Sequence, residues 1–315
     1  MKAVTVTLNP CIDKTVEIEN FETGKTNRVL SLRTDIGGKG INVSRILHSF
    51  GIPSVATGIL SGETGIFIER ELIDAGISTD FIFGVGETRT NLKIHDTESK
   101  VLTEINESGA PAGESYEEFR RKIMGLLRDC EILILSGSVP RDVGSSAYAE
   151  LISYAKHFGV SVILDAEGDL LQRGIEAVPF AVKPNKDELE QLAGRKLCHI
   201  DEVIAEAKNI NKAGVELVVV SLGEDGAVFV RDSLVIRTKP FPIEVKSSAA
   251  AGDSMVGALV YALEQELTLT QTAKIMTAAG TITAGKEGTQ VATFGEIAAN
   301  FDRVKAEIID VGEVE

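Results

Sequence analysis

The sequence predicts an α/β protein with a mostly parallel central sheet, helices on both faces of it, and a smaller sheet beside it. Short apolar runs such as residues 131–135 and 215–220 alternate with amphipathic segments, which is typical of strands buried on both faces. Residues 14–36 and 87–107 instead alternate polar and apolar side chains, the period of a half-exposed strand. The chain has 315 residues, 43% hydrophobic and 25% charged, which is enough for a large core.

The elements of the main domain follow one another as strand and helix. Strands are expected at residues 4–8, 54–60, 131–135, 160–164 and 215–220. Helices are expected at residues 43–50, 63–75, 115–128, 147–158, 201–213 and 255–264. In the first helix Val43, Ile46, Leu47 and Phe50 share one face, and Gly51 is placed to end it. From Leu267 to its end the chain is predicted to be helical.

The smaller sheet is predicted from four short alternating runs. These runs are residues 15–18, 28–32, 90–94 and 101–105. The chain is therefore divided into a main domain (residues 1–13, 37–86 and 108–315) and a lid (residues 14–36 and 87–107). The apolar face of the lid needs a cover, which either a substrate or a second subunit could supply.

Composition excludes several classes of protein. With 32 basic and 47 acidic residues the net charge is −15, so the chain is a poor partner for nucleic acid or an anionic membrane. No apolar run approaches the ~20 residues of a membrane helix. Cys11, Cys130 and Cys198 are odd in number and widely spaced, which argues against a disulfide framework or a zinc site and fits a reducing cytoplasm.

Two glycine-containing segments precede predicted helices and could hold an anion or a sugar. The first contains Gly38, Lys39 and Asn42, where bare backbone and a lysine meet a helix start. A glycine-rich turn with a solvated lysine is the simpler alternative. The second, residues 247–254, contains Gly252 and Asp253, where free N–H groups could hold an anion and the aspartate could accept a proton. An N-cap aspartate is the alternative there.

Two further segments have structural explanations that compete with a role in binding. Asn185 and Glu188 are three residues apart at a helix start, so they could face one ligand or hydrated metal, or could form a capping box. Residues 221–227 follow a strand at the edge where α/β folds place ligands, but a tight turn before another strand would look the same.

The combination of motifs resembles one family over nearly the whole chain. In order, the motifs are TLNPCID (7–13), GGKGINVS (37–44), LSGSVP (135–140), VKPNKDEL (182–189), VSLGEDGA (220–227) and AAAGDSMVGAL (249–259). Together they resemble the PfkB branch of the ribokinase-like sugar kinases. The resemblance implies a three-layer αβα domain with a β lid, Mg²⁺ with ATP as cofactor, and a homodimer formed through the lid.

Within that family, TLNP, the NxxEL segment and AGRKL (193–197) are most similar to members that phosphorylate fructose 1-phosphate or tagatose 6-phosphate. The implied reaction is ATP-dependent phosphorylation of a ketohexose phosphate, with fructose 1-phosphate giving fructose 1,6-bisphosphate. Tagatose 6-phosphate and fructose 6-phosphate remain alternatives. A catalytically silent sugar-phosphate sensor is a different class, which the intact GGKG and AGD motifs disfavour. A nucleoside or ribose kinase fits less well, because the lid cations would be surplus for an uncharged substrate.

The resemblance also implies roles for individual residues. Asp253 would be the base, and Ala251, Gly252 and Asp253 would supply the N–H anion hole for the transferred phosphoryl group. The implied sugar ligands are Asp13, Gly38, Lys39 and Asn42, with Ser138 as a further polar contact. The substrate's existing phosphate would be met by Lys25, Arg28 and Arg89 on the lid strands.

The nucleotide side is implied in the same way. Lys183, Asn185 and Glu188 would face the ATP phosphates, with Asn185 and Glu188 holding Mg²⁺ through water. The ATP site would be lined by Ser221, Leu222, Gly223, Glu224, Asp225, Gly226, Gly252 and Asp253.

Two residues depart from the family pattern. Ala250 stands where glycine is usual, and if that position has positive φ, alanine costs on the order of 1 kcal/mol. Cys11 stands in a slot commonly held by a small residue near the sugar, and we interpret it as structural filler because nothing nearby lowers a thiol pKa.

Overall fold

The computed structural model of the chain describes residues 2–247 and 249–309; Met1, Ser248 and the predicted helical tail at 310–315 lie outside the described residues. The strands of the described residues are β1 (Ala3–Thr7), β2 (Cys11–Ile18), β3 (Val29–Gly37), β4 (Ser54–Ser61), β5 (Ser78–Thr79), β6 (Ile82–Gly84), β7 (Arg89–Asp96), β8 (Leu102–Ile105), β9 (Ile132–Ser136), β10 (Ser161–Asp165), β11 (Ala181–Val182), β12 (Leu217–Ser221), β13 (Ala227–Arg231), β14 (Leu234–Lys239) and β15 (Lys305–Ile309). The helices are α1 (Lys39–Ser49), α2 (Gly62–Asp74), α3 (Glu114–Leu126), α4 (Ala147–His157), α5 (Gly168–Glu176), α6 (Lys186–Ala193), α7 (Ile200–Lys212), α8 (Ala251–Glu264), α9 (Leu269–Ala284) and α10 (Phe294–Asn300).

The large sheet confirms the predicted α/β class. Its strand order is β15-β14-β13-β12-β11-β10-β9-β1-β4-β5, with β6 also paired to β4. All pairs from β12 to β5 are parallel, and β13, β14 and β15 add an antiparallel edge. The carboxyl ends of β1, β9, β10 and β11 therefore meet at one edge of the sheet, where ligands of open α/β sheets bind.

Two apolar layers cover the large sheet, because successive side chains of a buried strand point to opposite faces. In β9, Leu133 and Leu135 pack with α3 to α7, whereas Ile132 and Ile134 pack with α1, α8, α9 and α10. Both sets are almost fully buried, which explains why these strands are continuous apolar runs in the sequence. The protein is thus a three-layer αβα domain.

The smaller sheet has the order β3-β2-β7-β8, and its register sorts its side chains into two faces. One face is polar and contains Asp13, Asp35, Asn91 and Lys93. The opposite face is apolar and contains Val16, Ile94 and the exposed Leu32, which is 59% accessible. We call these the polar and the apolar face of the lid.

Two sequence predictions about element boundaries need correction. The chain after Leu267 is not all helical, because residues 305–309 form strand β15 against β14. The lid also begins earlier than residue 14: β2 starts at Cys11, so Asp13 lies inside a lid strand rather than at the end of the first strand. Pro10 ends the connection from β1, and Cys11 already pairs with Gly37.

Candidate active site

A hydrogen bond joins the two glycine-containing segments singled out in the sequence. Asn42 on α1 donates from Nδ2 to Oδ2 of Asp253, the third residue of α8, at 2.8 Å. Both side chains are buried, although 211 residues separate them in the chain. Since Nδ2 faces the carboxylate, the amide oxygen of Asn42 is the group left over, and it has no hydrogen-bond partner among the described residues.

Asp253 has the electrostatic environment of a base that works near neutral pH. Burial, followed by the negative charge of Asp165, raises the pKa of Asp253 to about 6. Lys39, Lys183 and the Asn42 amide oppose that rise because they favour the ionised form. The carboxylate is therefore ionised at pH 7 but remains far more basic than a solvated aspartate.

Asp165 is a site residue that the sequence analysis missed. It ends strand β10 and is 1% exposed, and two lysines contact the same oxygen of its side chain. Lys39 Nζ lies 3.2 Å from Oδ1, and Lys183 Nζ lies 3.4 Å from it. Burial opposes ionisation, but Lys183 and Lys39 together hold the pKa of Asp165 below its ordinary value. Asp165 in turn raises the pKa of Lys39. The signal in the sequence was a carboxylate directly after a buried parallel strand.

The start of α8 leaves its backbone donors uncovered. Ala251 and Gly252 are the first two residues of the helix, and no side chain of the described residues caps it. The N-cap, Ala250, has φ 60°, so an alanine occupies the positive-φ conformation that glycine adopts more easily. A Cβ at Gly252 would lie 2.9 Å from Lys183 Nζ, so a glycine at this position leaves room for the lysine. The lysine ammonium thus lies against the exposed backbone of the helix start.

At the start of α6, Asn185 and Glu188 form the capping box that was the structural alternative to a role in binding. Asn185 Oδ1 accepts from the backbone N–H of Glu188 at 2.8 Å, and Glu188 Oε2 accepts from that of Asn185 at 2.7 Å. The capping box uses the side-chain oxygen of Asn185 and one of the two carboxylate oxygens of Glu188. Burial raises the pKa of Glu188, and the positive charge of Lys39 opposes that rise. Any role in holding Mg²⁺ through water stays a prediction that depends on the remaining oxygen of Glu188.

The segment at residues 221–226 lies beside this capping box. Ser221 forms an isolated parallel bridge with Asn185, so the structure brings two of the predicted nucleotide segments together. Residues Gly223–Asp225 form a single 3₁₀ turn before β13, as the structural alternative required. Gly226, with φ 92°, has a structural reason, because a Cβ there would lie 1.9 Å from the carbonyl oxygen of Thr238. Contacts of Leu222, Glu224 and Asp225 with ATP remain predictions.

The polar face of the lid presents Asp13 together with two residues the sequence analysis did not single out. Asn91 Nδ2 donates to Asp13 Oδ1 at 2.9 Å, and Lys93 Nζ lies 3.1 Å from Asp13 Oδ2. Cys11 Sγ is 3.6 Å from Asp13 Oδ1 and is buried. Burial, and then the charge of Asp13, raises the pKa of Cys11 to about 12, which supports its interpretation as filler.

Arg89 and Ser138 meet at a residue that the sequence analysis quoted only as part of a motif, Asn9. Arg89 Nε donates to the carbonyl oxygen of Asn9 at 3.2 Å, and Asn9 Nδ2 donates to Ser138 Oγ at 3.2 Å. Arg89 Nη1 donates to the carbonyl oxygen of Glu107 at 3.2 Å. Both of these partners are neutral carbonyl oxygens, so they do not neutralise the positive charge of Arg89. Arg89, Asn9 and the neighbouring Thr88 line a small cavity.

Lys25 and Arg28 lie elsewhere than expected. Both are exposed in the turn between β2 and β3 rather than on the lid strands, and Lys25 pairs with Glu22 at 2.7 Å. Arg89 pairs in register with Cys11 at one end of β2, whereas the turn follows Ile18 at the other end. At about 3.3 Å per residue these ends are roughly 23 Å apart. A single chain does not bring the three predicted phosphate ligands together.

Within residues 2–247 and 249–309, no group of three or more His, Cys, Asp and Glu side chains is arranged to hold a metal ion. None of the helices in the described part of the chain is long and apolar enough to cross a membrane.

The geometry defines a class of chemistry. A buried carboxylate with a raised pKa, an uncapped helix start and two lysines converge at the carboxyl edge of a parallel sheet. Such a site can remove a proton from a hydroxyl while it stabilises negative charge next to it, which is what phosphoryl transfer to an alcohol requires.

The chain belongs to the pfkB family of carbohydrate kinases, whose model matches residues 6–293. It is 36% identical over 285 residues to a 1-phosphofructokinase of Xanthomonas campestris, with 88% of this chain and 89% of that protein covered. It is 32% identical over 306 residues to the 1-phosphofructokinase of Escherichia coli, with 96% and 97% covered.

Solved structures are similar over the same length. Phosphofructokinase-2 from Escherichia coli in complex with substrates and products superimposes with a TM-score of 0.89 at 30% identity, over 96% of this chain and 99% of that one. A possible 1-phosphofructokinase from Thermotoga maritima gives a TM-score of 0.86 at 28% identity, over 98% and 100%. The predicted family and fold are thereby confirmed.

Proposed function

We propose that the protein transfers the γ-phosphoryl group of ATP to fructose 1-phosphate and so produces fructose 1,6-bisphosphate. The observation that carries the proposal is the 2.8 Å hydrogen bond between Asn42 and Asp253, because it joins a sugar-binding loop to a base at an anion-holding helix start. The named relatives support fructose 1-phosphate as the substrate over other ketohexose phosphates.

In the proposed mechanism, the acceptor hydroxyl of the sugar lies next to Asp253. Asp253 takes the hydroxyl proton as the oxygen bonds to the γ-phosphorus, and the bond from that phosphorus to the β–γ bridging oxygen breaks, so that ADP leaves. The backbone N–H groups of Ala251 and Gly252 hold the charge on the phosphoryl oxygens, with Lys183 beside them. Asn42 keeps the carboxylate oriented, and its free amide oxygen is available to a sugar hydroxyl.

The residues on the nucleotide side fit Mg²⁺ bound mainly by phosphates and water. Mg²⁺ usually takes few protein ligands, and the buried Oδ2 of Asp165 has no partner among the described residues. Glu188, with Asn185 beside it, and Asp165 would hold the hydrated ion through water. When bound, the ion would neutralise charge on the phosphates of ATP.

We further propose a homodimer formed through the apolar face of the lid. By their register, Val29 and Leu32 on β3 and Ile105 on β8 lie on this face, and each is more than half exposed. Because Lys25 and Arg28 lie at the far end of the lid from Arg89, they could join Arg89 at one phosphate only across two subunits. We place the enzyme in the cytoplasm, in keeping with cysteines that are all free.

A coupled assay of ADP release tests the proposed function. The panel contains fructose 1-phosphate, fructose 6-phosphate, tagatose 6-phosphate, ribose and a nucleoside, each with Mg²⁺ and ATP. We expect the highest kcat/KM with fructose 1-phosphate. Binding of fructose 1-phosphate without turnover would instead favour the alternative of a catalytically silent sensor, and faster turnover of another sugar would replace the substrate.

A further inference from the structure

The lid contains a buried polar group for which the described residues supply no hydrogen-bond partner. Asn91 is 7% exposed, and its amide nitrogen donates to Asp13, which accepts hydrogen bonds but cannot donate them when ionised. The orientation of the amide is thereby fixed. Its oxygen, Oδ1, has no hydrogen-bond partner among the described residues. An unsatisfied buried acceptor costs free energy unless a ligand supplies a donor.

Lys93 lies next to this acceptor on the same face. In the parallel register of β2 and β7, Asp13 pairs with Asn91 and Thr15 with Lys93, so Asp13, Asn91 and Lys93 all belong to the polar face of the lid. The side chain of Lys93 is 17% exposed, and its ammonium has three donors, one of which is directed to Asp13. The three groups together offer two acceptors and a donor within one small area.

We propose that Asn91 and Lys93, together with Asp13, form hydrogen bonds with the ring hydroxyls of the sugar and so determine which ketohexose phosphate the enzyme accepts. A sugar hydroxyl both donates and accepts, so one hydroxyl can donate to Asn91 Oδ1 or Asp13 and accept from Lys93 Nζ. Inverting a single carbon of the sugar removes that match and leaves buried polar groups unpaired. The inference rests on the proposed function, since it assigns the stereochemical selection of the same site.

Charge distinguishes this role from binding of the substrate's phosphate. Lys93 is already compensated by Asp13 at 3.1 Å, and Glu104 lies 4.0 Å away. A dianionic phosphate would have to compete with both carboxylates. Arg89, four residues earlier on the same strand face, donates to two carbonyl oxygens, which carry no formal charge. Strand β7 therefore places Arg89 near the substrate's phosphate and, farther along, Asn91 and Lys93 near the sugar hydroxyls.

The test compares fructose 1-phosphate with its C3 and C4 epimers, psicose 1-phosphate and tagatose 1-phosphate. The values of kcat and KM are measured for each sugar and for ATP in the wild type, Lys93→Met and Asn91→Leu. Lys93→Met should lower kcat/KM for fructose 1-phosphate by about 10- to 100-fold, mainly through KM of the sugar. Its selectivity against at least one epimer should fall about tenfold, and KM for ATP should stay within about twofold.

Two further variants separate this role from a structural one. Lys100→Met removes the same charge from the turn between β7 and β8, and it should leave all these constants unchanged. Lys93→Gln keeps a donor, and should retain more selectivity than Lys93→Met even if Asn91→Leu does not fold. Turnover of fructose 1-phosphate by Lys93→Met with the epimer selectivity of the wild type would overturn the inference alone. A wild type without turnover on any ketohexose phosphate would overturn the proposed function as well.

Discussion

The catalytic centre and the lid are built on opposite principles. In the centre, Asp253, Asp165, Lys39 and Lys183 come from four separate segments. Both lysines contact Asp165, and their charges also favour the ionised form of Asp253. In the lid, Lys25 and Arg28 are exposed at one end and Arg89 is at the other, and part of the apolar face, including Leu32, is exposed. A single chain therefore preorganises the charged groups of the centre, whereas it leaves the three cations predicted to bind the substrate's phosphate apart.

Loss of the base should have the largest effect. Asp253→Asn keeps the size of the side chain but removes the proton acceptor, so we expect kcat to fall on the order of 10²–10⁴-fold while ATP still binds. Turnover gives kcat, and calorimetric titration gives the affinity for ATP. Asp201→Asn, at another helix start, is the control and should behave as wild type. Near-normal turnover in Asp253→Asn would mean that the base lies elsewhere.

Loss of Arg89, the proposed ligand of the substrate's phosphate, should have the next largest effect, and only on the sugar phosphate. Arg89→Ala should raise KM for fructose 1-phosphate roughly 30- to 900-fold, which corresponds to about 2–4 kcal/mol of lost binding free energy. KM for ATP should change little. Arg89→Lys should recover part of the loss, because the charge remains but the planar fork is gone. Arg70→Ala, an exposed arginine on α2, serves as the control. Equal effects on both substrates would show that Arg89 is not a phosphate ligand.

A charge on the apolar face of the lid should dissociate the proposed dimer. Leu32→Glu introduces a carboxylate at a side chain that is 59% exposed in the single chain, so the fold should survive while association fails. Sedimentation velocity should show a dimer for the wild type and a monomer for the variant, with a raised KM for the sugar phosphate. Ile308→Glu, on the edge strand β15, is the matched control. A monomeric wild type would remove the lid dimer from the account.

The strain at Ala250 should give the smallest effect. Because its φ is 60°, Ala250→Gly should stabilise the fold by on the order of 1 kcal/mol, measured as the free energy of unfolding in urea. Ala205→Gly, in the interior of α7, should instead destabilise by about 1 kcal/mol. No gain in Ala250→Gly would mean that the loop relaxes without cost.

The sequence predicts the strand–helix order, the small sheet and the motifs of the centre, because apolar periodicity and glycine placement are local signals. It does not reveal Asp165, since a single carboxylate after a strand has no motif around it. The sequence does not single out Asn91 and Lys93 for a different reason. Alternation shows that a strand has a polar side, but only the register of β2 with β7 shows that this side lies next to Asp13. The sequence predicts a helix at residues 305–309, but they form a strand, because their pairing with β14 is a long-range contact that the local pattern does not show.

The most direct test of the centre is the pH dependence of kcat/KM for fructose 1-phosphate. A base with a raised pKa is protonated as pH falls, so activity should be lost below an apparent pKa of about 6 in the wild type. Asn42→Leu removes a group that favours ionised Asp253, so that pKa should move up. Asp165→Asn removes the negative charge that raises it, so the pKa should move down. Shifts of opposite sign would confirm the account. An acidic limb that stays in place in both variants would contradict it.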